Sequence, residues 1–201
     1  MTRTTTVSGS VIQSTKFQGG TVNLTTNNGN VEVTSPSGNL SIGTIALGTG
    51  TADITAASGT INDSATDTSI DFVADSATLS ATSIGATEPI EFGLVPTLDL
   101  TSTAGALTGS STHSNVNLTA SANSGNITFS NSVGGIAIGG ISGGGTIGIT
   151  STGAITQSGA ISNNGQTATF AAGLGNDITL SNPANDFGTV SITTGNNVNI
   201  R

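Results

Sequence analysis

The sequence predicts an all-β protein built as a parallel β-helix, with an antiparallel β-sandwich as the alternative. Three observations lead there. Apolar and polar residues alternate in very short runs, as in Val22-Asn23-Leu24, Val31-Glu32-Val33 and Ile147-Gly148-Ile149, and a period of two marks a half-buried strand. About 30 of the roughly 41 Val, Ile and Leu residues are β-branched and favour pleated backbone. The third observation is how often small polar turn residues interrupt the apolar runs, leaving strands of about 3–5 residues. A wide sandwich core needs large side chains, and the chain has no Trp or Tyr and only six Phe. A narrow coil needs fewer. At about 20–25 residues per coil the 201 residues make roughly eight to ten coils, a rod about 40–50 Å long at the usual strand spacing.

One unit carries the pattern along the chain. An alternating strand ends in an aliphatic residue, then come Thr, a few small polar residues, Gly, and the aliphatic residue that opens the next strand. It runs from Leu24-Thr25 through Gly29 to Val31, from Val33-Thr34 through Gly38 to Leu40, and from Ile54-Thr55 through Gly59 to Ile61. It returns as Leu100-Thr101, Gly105, Leu107, then Leu118-Thr119, Gly125, Ile127. The last copies are Ile149-Thr150, Gly153, Ile155 and Ile192-Thr193, Gly195, Val198. The expected roles are Thr as strand end and Gly as a turn with positive φ. The segment Glu88-Pro89-Ile90-Glu91-Phe92-Gly93-Leu94-Val95-Pro96 breaks the rhythm. Its two prolines predict a loop excursion over residues 86–97 from a single unit spanning 1–201. The chain stops inside a strand pattern at Val198-Asn199-Ile200-Arg201, which reads as a fragment of a longer repeat protein.

Composition excludes several functions. About 110 residues are Thr, Ser, Asn or Gly, Cys is absent, and the formal net charge is -8. That leaves no basic face for nucleic acid and no thiolates for a disulfide or a Cys-based zinc site. No run of about 18 apolar residues exists to insert into a membrane, and Met1–Ser10 lacks the apolar stretch of a signal peptide.

Two features resemble a known group. One is the stretch Ile178-Thr179-Leu180-Ser181-Asn182-Pro183-Ala184-Asn185-Asp186-Phe187-Gly188-Thr189-Val190-Ser191-Ile192. The other is the recurring opening Gly29-Asn30-Val31, Gly38-Asn39-Leu40 and Gly125-Asn126-Ile127. Together they resemble the repeat region of filamentous-haemagglutinin-like adhesins, large two-partner-secretion exoproteins of Gram-negative bacteria. The resemblance implies a right-handed parallel β-helix, secretion to the bacterial cell surface through an outer-membrane transporter, and adhesion to glycans or proteins of host cells or other bacteria. The export-domain motifs Asn-Pro-Asn-Leu and Asn-Pro-Asn-Gly do not occur. The only Asn-Pro is Asn182-Pro183, so the resemblance points to shaft and not to export domain.

Few residues are fit for chemistry. Gly140-Ile141-Ser142-Gly143-Gly144 matches a nucleophile-elbow pattern, and Gly143, Gly145 and Gly148 match a dinucleotide fingerprint. Both need a following helix, and Thr146-Ile147-Gly148-Ile149 reads as strand. His113, the single His, lies in a polar loop. The basic residues are Arg3, Lys16 and Arg201 alone. Eight of the 11 acids lie between Asp53 and Asp99: Asp53, Asp63, Asp67, Asp71, Asp75, Glu88, Glu91 and Asp99. Stacked Asp can hold calcium, but the expected role is a solvated acidic face. Asn-x-Ser/Thr sequons at Asn23, Asn39, Asn62, Asn117 and Asn126 are expected by chance in this composition. The chain is therefore expected not to be an enzyme, with no catalytic residue, cofactor or metal. The leading expectation is a structural shaft of a secreted surface adhesin. A carbohydrate-active β-helix enzyme is the alternative. Ice binding is a minor one, because Thr66-Asp67-Thr68, Thr101-Ser102-Thr103 and Thr167-Ala168-Thr169 lack a regular coil spacing.

Overall fold

The computed structural model describes residues 3–7, 13–16 and 18–201, the first two strands by their backbone only. The Thr-rich start read as lacking a leader therefore falls partly outside the described residues. The described residues contain no helix, and so none long and apolar enough to cross a membrane.

Twenty-two strands follow one another among the described residues. The first six are β1 (Arg3–Val7), β2 (Gln13–Lys16), β3 (Gly20–Thr26), β4 (Val31–Ser35), β5 (Leu40–Ala46) and β6 (Thr51–Ala56). Next come β7 (Ile61–Asp63), β8 (Phe72–Val73), β9 (Ser76–Ala81), β10 (Ile90–Phe92) and β11 (Thr97–Ser102). They continue with β12 (Leu107–Ser111), β13 (Asn115–Ala122), β14 (Ile127–Asn131), β15 (Gly135–Gly143) and β16 (Ile147–Ser151). The last are β17 (Ile155–Gln157), β18 (Ile161–Ser162), β19 (Thr167–Ala172), β20 (Ile178–Leu180), β21 (Thr189–Thr194) and β22 (Val198–Ile200).

These strands form two sheets. The first runs β1-β3-β5-β8-β10-β12-β14-β16-β19-β21, with β7 also on β5, and the second β2-β4-β6-β9-β11-β13-β15-β17-β20-β22, with β18 also on β15. The chain passes from one sheet to the other and back, so each coil adds one rung to each sheet, and the rungs pair in parallel. The fold is a parallel β-solenoid of about nine turns, which sets the sandwich aside. Leu107 pairs with Ile127 and Ile127 with Ile147, one coil of 20 residues at a time.

The inward residues stack in columns. Val33, Ile54, Leu79, Leu100, Ala120, Ile141 and Ile161 stand in register along the second sheet, all buried. At about 1.5–3 kcal/mol per large aliphatic side chain, this interior is the main stabilising term. Four fully buried Phe point inward from the first sheet: Phe72, Phe92, Phe129 and Phe170. The Phe72 and Phe92 rings lie 5.1 Å apart, and Phe92 and Phe129 6.4 Å. Gly109 sits between the latter two, where a Cβ would press on both rings at 3.3–3.4 Å.

The repeat unit differs from the expectation in two respects. The strand does not end at Thr but runs one residue further, and that residue turns inward. Thr34 is followed by buried Ser35, Thr55 by Ala56 and Thr101 by Ser102. The inward Ser then clamps the turn. Ser35 Oγ donates to the Gly38 carbonyl at 2.8 Å, and Ser102 Oγ to that of Gly105 at 2.7 Å. The second difference is the glycine. Positive φ is found at Gly19, Gly20, Gly48, Gly85, Gly165 and Gly175 and at Asn28 and Asn164, not at the repeat glycines. Those are needed because coils touch there. A Cβ on Gly125 would fall on the Gly105 carbonyl, and one on Gly59 on that of Gly38.

The Gly-Asn-aliphatic openings have a shared geometry. The Oδ1 of Asn30 accepts the Thr51 N–H, that of Asn39 the Thr60 N–H and that of Asn126 the Thr146 N–H, each at 2.9–3.0 Å. Each Asn so satisfies a backbone donor one coil ahead. The sequon residues Asn23, Asn39, Asn62 and Asn126 all act this way.

Residues 86–97 contribute β10 to the first sheet, with Ile90, Phe92 and Val95 fully buried and Ala86, Thr87, Pro89 and Leu94 exposed. A longer departure lies between β7 and β8, where every residue from Ser64 to Ile70 is exposed.

Candidate functional site

Most chemistry-bearing motifs of the sequence resolve into coil architecture. Ser142 lies in β15, pairs in register with Ser121 and Ser162, and is exposed on an open sheet. No helix follows it or the glycines: Gly143 ends β15, Gly145 lies in the turn and Gly148 is within β16. His113 is engaged by its own turn: its Nδ1 lies 2.5 Å from the Asn115 carbonyl and 3.2 Å from the Asn115 backbone nitrogen.

The stretch Ile178–Ile192 holds a polar clamp. Gln157 and Asn185 exchange side-chain amide hydrogen bonds. Gln157 Nε2 donates to Asn185 Oδ1 at 2.8 Å, and Asn185 Nδ2 donates back to Gln157 Oε1 at 2.9 Å. Asn185 also accepts the Ile161 N–H and donates to the Leu180 and Arg201 carbonyls, so it links three coils. Asn182 Oδ1 accepts the Ala184 N–H and closes the turn around Pro183. Phe187 packs edge-on against Phe170 at 6.1 Å.

The outer face of the second sheet carries columns of like residues. Thr34, Thr55, Ser80, Thr101, Ser121, Ser142 and Ser162 follow rung by rung. Beside them run Glu32, Asp53, Thr78, Asp99 and Thr119. Sequence reading missed this array because its members are one coil apart and not adjacent in the chain. Of the three Thr-x-Thr motifs only Thr101 belongs to it. Thr66 and Thr68 lie in the Ser64–Ile70 departure, and Thr167 and Thr169 lie on the first sheet. A shallow open recess of about 230 Å³ lies at the edge of the column, lined by Ser121, Asn123, Ser142, Gly144, Ser162 and Asn164 among others. Just inside the same edge, Asn163 is fully buried and neither polar atom of its side chain has a partner.

The acidic stretch divides. Asp67 and Asp75 are exposed, whereas Asp63 and Asp71 are 6% and 3% accessible. One carboxylate oxygen from each of Asp63, Asp71 and Glu91 lies within 4.8 Å of the other two. Asp63 ends β7, Asp71 immediately precedes β8, and Glu91 is the middle residue of β10. The backbone brings them together: the Asp71 N–H donates to the Glu91 carbonyl at 2.9 Å, and the Glu91 N–H to Asp71 Oδ2 at 2.9 Å. Asp63 Oδ1 accepts the Ala65 N–H. Glu91 is half-buried as a residue, but its Oε2 has neither accessible surface nor a hydrogen-bond partner. Burial pushes the Asp71 carboxyl up to about 8; the Glu91 N–H works against that shift and the Asp63 charge adds to it. Burial also raises the Glu91 carboxyl, although its hydrogen bond with Asp71 opposes this. Such shifts are the expected response of crowded buried carboxylates without a counter-charge. Of the four Asp from 63 to 75, two are thus buried and two exposed, and the Asp67 charge still acts on Glu91.

Comparison with known proteins adds one finding. Residues 124–194 match a family described as repeats of unknown function (DUF5649). That span covers β14 to β21 and contains the Gln157–Asn185 clamp. No curated protein and no solved structure matches the chain.

Proposed function

We propose that this chain is a structural shaft segment of a secreted bacterial surface adhesin, and that it holds a binding end away from the cell to mediate attachment. The observation that supports it is the stack itself, in which the same hydrogen-bonded rungs, Asn bridges and glycine contacts recur from coil to coil. A repeat of this kind builds length and stiffness from nearest-neighbour contacts. Its partners would be surface glycans or proteins at the receptor, and an outer-membrane transporter during export. Antibodies against this segment, applied to intact cells that make it, test the reading. Labelling of unpermeabilised cells and reduced attachment are expected. Labelling only after permeabilisation overturns it.

A second reading, ice binding, draws on the hydroxyl column from Thr34 to Ser162, which presents one hydroxyl per rung. Thermal hysteresis in a freezing-point measurement is expected on that reading, and its absence at millimolar protein removes it.

A further inference from the structure

We propose that Asp63, Asp71 and Glu91 bind one hard divalent cation, calcium by preference, which fastens both ends of the Ser64–Ile70 departure to the next coil. Two independent observations carry this. The first is geometric. Calcium takes oxygen ligands at about 2.3–2.6 Å, so ligands on opposite sides of one ion stand about 4.8 Å apart. Three carboxylate oxygens mutually within 4.8 Å therefore stand close enough to share one ion with little adjustment. The second is the orphaned Glu91 Oε2, sealed from solvent with no donor to meet it. A buried carboxylate oxygen in that state is costly, and a cation is the partner that removes the cost for all three groups at once.

Among the described residues no Lys or Arg lies on a strand beside the cluster. The chain's basic residues are Arg3, Lys16 and Arg201. They lie in β1, in β2 and just after β22, and none of these strands borders β7, β8 or β10. The donor set is all oxygen, without His or Cys, which favours a hard ion over zinc or copper. Calcium is favoured over magnesium because magnesium gives up its water reluctantly, and this cluster is largely closed to water.

The test is titration of calcium chloride into the chelator-stripped chain, read by calorimetry and by the thermal midpoint, with magnesium chloride as comparison. Binding of one calcium per chain and a raised midpoint are expected, with a smaller response to magnesium. Asp71→Asn and Glu91→Gln should each weaken calcium binding at least about tenfold, while Asp75→Asn, at an exposed acid, leaves it unchanged. Circular dichroism identifies a variant that fails to fold, and the other of the pair then carries the comparison. No heat and no midpoint shift at millimolar calcium overturn the proposal. So does a shift of equal size in the wild type and in a folded Asp71→Asn or Glu91→Gln chain.

Discussion

The coils from Leu107 to Ala172 and the stretch from Ile61 to Phe92 obey the same topology with different chemistry. In the first, rungs follow at steps of about 20 residues, outward positions are mostly small and neutral, and Asn126 bridges to the next coil as its counterparts do elsewhere. In the second, Ile45 pairs with Phe72, and the chain bulges out between Asp63 and Asp71 before it resumes. Buried carboxylates take the place of neutral side chains there. The difference teaches that a solenoid of this kind tolerates an interruption if the backbone regains register on the far side. Phe72 does so by pairing with Ile45 and with Phe92. The regular region is held by apolar columns and close backbone contacts. The interrupted one adds an electrostatic problem of its own.

The largest expected effect tests the regular region. Leu118→Asp places an unpaired charge in a fully buried column and should cost more than about 4 kcal/mol. Loss of protease resistance and of the β-type circular dichroism across neighbouring coils checks it. Retained resistance would mean that coils accommodate a defect locally. Next, Gly125→Ala forces a Cβ onto the Gly105 carbonyl and should cost about 1–3 kcal/mol in a denaturant titration. Gly148→Ala is its control, because a Cβ there meets only the Ile127 carbonyl at 4.0 Å, and it should be close to neutral.

A pH series addresses the interrupted region. In chelator the native Asp71 keeps its proton up to about 8, while the unfolded chain releases it near the ordinary 3.8. The native state therefore binds more protons at this group between these values, so the contribution of Asp71 to stability is fullest below about pH 4 and falls as pH rises toward 8. Asp71→Asn should flatten that slope and exceed the wild type in stability at pH 8, with the gap closing at pH 4. The smallest effect returns to the regular coils. Asn126→Ala removes the acceptor of the Thr146 N–H at an exposed turn and should cost about 0.5–1.5 kcal/mol.

Much of the fold was legible in the sequence because each strand announces itself locally. Val31-Glu32-Val33 and Ile147-Gly148-Ile149 alternate, and the structure buries the aliphatic members of both. The physical role of the repeat glycine was not legible, since a turn and a backbone contact across coils demand the same residue. The candidate site was hidden for a related reason. Asp63, Asp67, Asp71 and Asp75 stand at even four-residue steps in the sequence, yet only alternate members turn inward. Glu91 joins them from 20 residues beyond Asp71, one coil on. Acids separated by the coil step were the available signal, and it becomes readable only once the coil length is known.

The Asn bridges have a consequence for inheritance. Those of Asn30, Asn39 and Asn126 reach 20 or 21 residues ahead and that of Asn62 reaches 25, so each of these coils measures out the next. Gain or loss of a whole coil leaves each acceptor facing a donor, whereas a slip of one residue inside a strand turns its core side chains outward. Such a gene can lengthen by copying units or grow at a turn, as between Asp63 and Asp71, while a single residue inserted inside a strand needs a bulge to restore the register, as in β5, β15 and β21.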